Sequence, residues 1–440
     1  MSTPETAAPR RFFRVSLRGL MLLVLVIGAP SGWIVRRAQV QREAVAAIQR
    51  AGGMVVYDRQ ANDPRGTNAP LRTPDWLAAW IGVDYLDTVA RVFCGKATVD
   101  ADLALVGGLS GLETLAVDRT AVTDAGLKHL EGLRGLRRLL MSRTAVTNQG
   151  LVHLEGMTEL RILNLGGTKI DGAGMVHLRA LTNLESLRLD GTKVDDAGLA
   201  HLKVLTNLTS LYLMDTPVTD AGLAHLKGMK NLTTLALSKT AVTDAGLVNL
   251  RGMDELKELG LSETSVSGPG LVHLQQLPAL WRLVLTSSRV TDAGLAHLKN
   301  LPSLGILYLE GTEISDAGLA NLGRLGRLGM LALANTKVTT AGLAAFEGLS
   351  RLTFLDVSGT KIDDASLARL DDGKITGPRV LWLKDTPITD AGLVHLAGFS
   401  GMTFLDLINT RVTDAGVDRL KQAIPKLQVR RQMPRRPAPR

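Results

Sequence analysis

The stretch VTDAGLAHL, residues 218–226, decides the fold, because the chain keeps returning to it. Its whole unit reads LTSLYLMDTPVTDAGLAHLKGM, residues 208–229. Thirteen copies are marked by Thr120, Thr144, Thr168, Thr192, Thr216, Thr240, Thr264, Ser288, Thr312, Thr336, Thr360, Thr386 and Thr410. The step is 24 residues, except for 26 between Thr360 and Thr386. A fixed period of this length marks a solenoid, in which each unit buries its apolar side chains only against its neighbours.

Within a copy, Leu208, Leu211 and Leu213 form an L-x-x-L-x-L pattern. Leu211 and Leu213 share one face of a short strand, which turns Ser210, Tyr212 and Met214 to the other. Val218 is Val or Ile in every copy, as a packed β-branched anchor would be. Thr219 and its equivalents are Thr, Ser or Asp and can all cap a helix. An Asp such as Asp220 then favours the helix dipole. Leu223 and Leu226 share the buried helix face, and Gly228 is placed to close the helix. Gly222, replaced only by Ser366, predicts a close approach of neighbouring backbone. The Thr216 position predicts a hydroxyl bonded to the backbone of an adjacent turn. Strands about 4.8 Å apart make a concave parallel sheet roughly 60 Å long, with helices on the convex side.

The pattern L-x-x-L-x-L-x-x-T-x-V-T-D-A-G-L-x-x-L, over about residues 112–427, resembles the leucine-rich repeat. It is most similar to the cysteine-containing subclass, with Thr where those repeats carry Cys or Asn. That subclass forms the substrate-binding part of F-box ubiquitin-ligase receptors, and the pattern also resembles membrane-anchored bacterial leucine-rich repeat proteins. The resemblance implies an α/β horseshoe solenoid that binds a partner, with no catalytic residues to carry over. No F-box-like segment lies upstream.

The ends differ from the repeats. The net charge of +9 is concentrated there: residues 1–50 contribute +6 and residues 426–440 another +6, leaving −3 for the rest. A mildly acidic solenoid gives nucleic acid no electrostatic footing. Residues 1–18 are a basic tail, expected in the cytoplasm. Residues 19–35, GLMLLVLVIGAPSGWIV, are uncharged and read as a transmembrane signal anchor with Trp33 at the interface. The alternatives are cleavage near Ser31, which would release the protein, and a buried helix. On the anchor reading the solenoid lies outside the cytoplasm.

Residues 36–105 are expected to cap the first leucine layer. They comprise a helix over residues 39–50, a strand over 54–57, a loop over 62–73, a helix opened by Thr73-Pro74 that carries Trp76 and Trp80, and a strand over 89–93. Residues 106–429 are the solenoid, ending in a degenerate strand over 423–429, and residues 430–440 a disordered basic tail. Cys94, the single cysteine, excludes an intrachain disulfide.

All eight histidines fall at one repeat position: His129, His153, His177, His201, His225, His273, His297 and His395. Each follows a buried position by two residues, about 200° around the helix, so the row runs along the surface. A zinc ion needs three or four ligands converging on one point, so no metal is expected. No nucleophile elbow, phosphate loop or paired-acid site is present, and no cofactor or catalytic residue is assigned. Function is expected where copies differ, on the outward strand positions Arg188, Tyr212, Met214, Arg282, Tyr308, Glu310, Phe354, Asp356, Trp382, Lys384, Phe404 and Asp406. Aromatic and Arg side chains are common interface anchors, so a protein partner is expected. A two-residue insertion near residues 371–378 places a loop beside Trp382. The other readings are a cell-envelope scaffold and an intracellular adaptor of the F-box-receptor kind.

Overall fold

The computed structural model describes residues 17–58, 82–370 and 377–431. Among these residues, sixteen strands form a single sheet in chain order. Strand β1 (Met54–Tyr57) runs antiparallel to β2 (Val89–Phe93), and every later pairing through β16 (Gln428–Arg430) is parallel. The segment 89–93 is therefore the second strand of the sheet. The period sets the register: Leu211 of β7 (Ser210–Tyr212) lies beside Leu187 on one side and Leu235 on the other.

Each layer closes over the same interior. Leu208, Leu211, Leu213, Val218, Leu223, Leu226 and Met229 are all completely buried, and every copy adds its equivalents to one continuous core. The return path is short, one α-turn at Asp220–Ala224 and a 3-10 segment at Gly246–Leu250 in the next copy. Thr219 caps the first by accepting the Ala221 N–H.

Three expectations about the repeat change in detail. Thr216 is buried, but its hydroxyl donates to the Leu213 carbonyl of its own copy at 2.6 Å. It closes its own turn and does not link neighbours. The link between copies comes from Asp: Asp196 accepts the Thr219 N–H at 2.8 Å and the Thr219 hydroxyl at 2.6 Å. The same carboxylate explains the recurring glycine. A Cβ on Gly222 would lie 2.3 Å from Asp196 Oδ1, so in most copies a side chain, not backbone, fills the space. Backbone takes that role where Asp is replaced by Gly172 or Gly268, facing Gly198 and Gly294. Ser366 follows the same logic: the preceding copy offers Thr340, whose hydroxyl lies 2.5 Å from the Ser366 hydroxyl.

Gly228 does not adopt a left-handed backbone. The residue before each marker Thr does, with φ between 55° and 70° in all thirteen copies. Only four of these are Gly; the others include Asp215, Lys239 and Glu263. A side chain in this region costs on the order of 1–2 kcal/mol. The Asp215 N–H donates to Ser238 O of the next copy at 2.9 Å, and such bonds hold the turn.

The N-terminal region departs from expectation more strongly. Helix α1 runs unbroken from Leu17 to Arg50. Its later part lies on the start of the sheet, with Ala44 and Ile48 in the core. Gln41 is buried there, donating to Asp87 O at 2.9 Å and accepting from the Val89 N–H at 3.1 Å. Among the described residues no helix is long and apolar enough to cross a membrane. This overturns the transmembrane signal anchor at residues 19–35 and the single-pass assignment built on it. The uncharged run has 17 residues, which as a helix is about 26 Å against a core of about 30 Å, and it passes directly into Arg36 and Arg37. The loop at 62–73, the helix with Trp76 and Trp80, and residues 371–376 of the insertion lie outside the described residues.

At the other end, Ala423 closes a helix, Asp414–Ala423, and the last strand is Gln428–Arg430. Arg430 thus belongs to the sheet, while residues 432–440 lie outside the described residues.

Candidate binding surface

Strand alternation sends Leu211 into the core and leaves Ser210 and Tyr212 half-buried on the concave face. The expected site residues lie on these strands or two residues beyond their ends, and they fall into two groups.

The first group spans β6 (Ser186–Arg188) to β11 (Ile306–Tyr308). The Arg188 guanidinium sits 4.4 Å from the centre of the Tyr212 ring, and its Nε donates to Asp190 at 3.1 Å. Arg282 lies 5.6 Å from the Tyr308 ring and donates to Glu258 at 3.3 Å. Between the two tyrosines the same strand position is Ala236, Gly260 and Val284. Their small size opens a hollow of about 270 Å³ bounded by Arg188, Tyr212, Met214 and Arg282. A search for large side chains overlooks Ala236 and Gly260; small residues interrupting a column of large ones were the signal.

The second group lies on β13 (Phe354–Asp356), β14 (Val380–Trp382) and β15 (Phe404–Asp406). Phe354 meets Trp382 edge-on, with ring centres 5.3 Å apart. Asp356 and Asp406, on the strands to either side of Trp382, are buried. Arg430, which the sequence reading assigned to the tail, reaches back to pair with Asp406. Its guanidinium lies 5.8 Å from the Trp382 ring and 5.7 Å from that of Phe404. Lys384 is turned to the rim, 3.4 Å from Asp385.

Burial raises the Asp356 carboxyl above the ordinary range, and the charge of Asp406 adds to the rise against the pull of Lys384. Burial also raises Glu310, which accepts the Thr286 hydroxyl at 2.7 Å. Carboxylates on the helix side move the other way. Burial alone would raise Asp244, but the Ser267 hydroxyl and the N–H groups of Gly268, Gly270 and Ser267 hold it low. The Thr413 hydroxyl and N–H lower Asp390.

A second hollow, of about 330 Å³, lies near the start of the sheet and is lined by Arg91, Arg137, Arg138 and Arg161 together with Glu113 and Glu185. Arg161 donates to Glu185 at 2.7 Å. Whole-chain charge counting concealed this local basic excess.

The histidine row runs along the outside of the return path. His153 Nδ1 is 2.5 Å from Glu131, His177 Nδ1 is 2.7 Å from Glu155, and His273 faces Arg251. Among the described residues no group of three or more His, Cys, Asp or Glu side chains could hold a metal ion.

Comparison with known proteins agrees with this geometry. The family described as "Leucine Rich repeat" matches residues 204–226 and 228–250. The structure is similar to an internalin (inlF) of Listeria monocytogenes at a TM-score of 0.56 and 22% identity, over 70% of this chain and 83% of that one. It is also similar to a leucine-rich repeat protein of Leptospira interrogans at a TM-score of 0.50 and 17% identity, over 76% of this chain and 82% of that one. At these identities the likeness is one of fold. No curated protein matches the chain.

Proposed function

We propose that this chain, which has the leucine-rich repeat fold, binds another protein through its concave face, by surface complementarity with no covalent step. One observation carries this reading. Interior positions are nearly identical from copy to copy and saturated by their neighbours, whereas the outward strand positions differ and form two built features. The first is the hollow between Tyr212 and Arg282, and the second is the aromatic group around Trp382. Tyr212 and Trp382 are half-buried, the state in which an aromatic ring adds contact area at low entropic cost. A wide surface with few aromatics concentrates binding energy at such points.

Crosslinking capture on intact cells, comparing the wild type with Tyr212→Ala and Trp382→Ala, tests the reading. Loss of one defined partner from either variant is the expected result. Capture unchanged in both would favour a scaffold whose concave face has no specific ligand.

A further inference from the structure

The second concave group already holds a cation. Phe354, Trp382 and Phe404 lie on three adjacent strands, with Phe354 edge-on to Trp382, in a chain that is only 4% aromatic. Asp406 lies among them with no exposed surface. A buried carboxylate is costly unless a cation is paired with it. Arg430 supplies that cation, with its guanidinium against the Trp382 and Phe404 rings and an ion pair to Asp406. Rings that present their π-electrons to a guanidinium beside a carboxylate form a cation-recognition site, favouring a planar cation by both electrostatics and stacking.

The two halves of this contact are not equally fixed. Phe354, Trp382, Phe404 and Asp406 belong to interior strands with a neighbour on each side. Arg430 belongs to β16, the last strand of the sheet, whose other edge carries no strand among the described residues. Its side chain remains 42% exposed. Terminal strands are the first part of a sheet to open.

We infer that Phe354, Trp382, Phe404 and Asp406 form a recognition site for an arginine side chain of the protein partner, and that Arg430 occupies this site from within the chain. The inference rests on the concave-face reading and adds the partner's chemistry: an arginine-bearing segment that replaces Arg430 on the rings. The basic side chain is required because Asp406 would otherwise be left buried with the Ile408 N–H but no counter-charge.

The test uses the full chain and two small probes, Nα-acetyl-arginine amide and its uncharged isostere Nα-acetyl-citrulline amide, followed by saturation-transfer NMR. Arg430→Ala should bind the arginine probe at least tenfold more tightly than the wild type, and neither protein should bind the citrulline probe. Adding Trp382→Leu to Arg430→Ala should abolish the gain. Equal affinity for arginine in the wild type and Arg430→Ala, or equal binding of citrulline and arginine by the variant, would overturn the inference. If Arg430→Ala melts earlier, the arginine probe alone should restore its melting temperature; failure to restore it overturns the inference as well. Loss of the cellular partner in Tyr212→Ala, with no arginine binding by Arg430→Ala, would remove this site and leave the concave-face reading standing.

Discussion

The two sides of each layer use carboxylates in opposite ways. On the helix side Asp196 gives both oxygens to Thr219 of the next copy, close to solvent, and the arrangement recurs at Asp220 and Asp390. On the strand side Asp356 and Asp406 are buried beside Trp382, and Arg430 on the neighbouring strand pairs with Asp406. The first use is structural and needs nothing from outside. The second places a desolvated charge where a partner can meet it. A repeat protein keeps the first kind uniform because each copy must fit the next, while the second kind is free to vary because stacking does not involve it.

The contrast can be broken at several points. Leu211→Ala empties a fully buried position shared by three layers. It should cost about 2–5 kcal/mol in denaturant unfolding. Asp196→Ala leaves the Thr219 N–H and hydroxyl without their acceptor and should cost about 2 kcal/mol. A cost near zero would show that water replaces the link between copies.

Thr340→Asp sharpens the comparison. It restores the usual carboxylate opposite the one position where glycine has become Ser366. Alone it should destabilise by about 1–2 kcal/mol, and Ser366→Gly in the same chain should recover most of that loss. Additive effects of the two substitutions would mean that the carboxylate and the glycine are not coupled.

The acids also predict opposite responses to pH. Asp356 and Glu310 are raised, so the folded state holds their protons more tightly than the unfolded chain. Their contribution to stability is largest below the ordinary carboxylate range and is lost as pH rises through their raised values. Asp244 and Asp390 are lowered, so their contribution is present above the ordinary range and is lost as pH falls through their lowered values. Unfolding measured between about pH 3 and 7 should therefore show the two trends superposed, and Asp356→Asn should weaken the decline toward neutral pH. An unchanged profile in Asp356→Asn would remove that carboxyl from the account. The smallest effect is expected from Tyr212→Ala, which should change stability by no more than about 0.5–1 kcal/mol, because its ring contributes to no layer interior. A larger loss in the same unfolding experiment would make Tyr212 part of the scaffold.

Most of the scaffold was legible in the sequence because stacking repeats every demand. Leu211, Val218 and Leu223 recur where each layer needs apolar volume, and thirteen copies average out local exceptions. Contacts between copies were less legible. Asp196 and Gly222 read separately as a dipole residue and a backbone approach, but they are two sides of one contact 26 residues apart. The left-handed turns were hard to read because Arg119, Lys239 and Glu263 are not residues that announce such a backbone. The candidate site was half legible: large side chains such as Tyr212 and Trp382 stood out, whereas Ala236, Gly260 and Arg430 did not.

The sequence by itself determined the solenoid, its 24-residue register and the identity of its interior, because a periodic pattern of apolar residues has one way to be buried in stacked strands. Only the tertiary structure decided which outward residues meet, that α1 continues past its uncharged run onto the first strands, and that Arg430 folds back over Trp382, Phe404 and Asp406. Those contacts join neighbouring copies at positions whose side chains differ from copy to copy, and their geometry depends on how side chains of unlike size settle beside one another once the layers are in place.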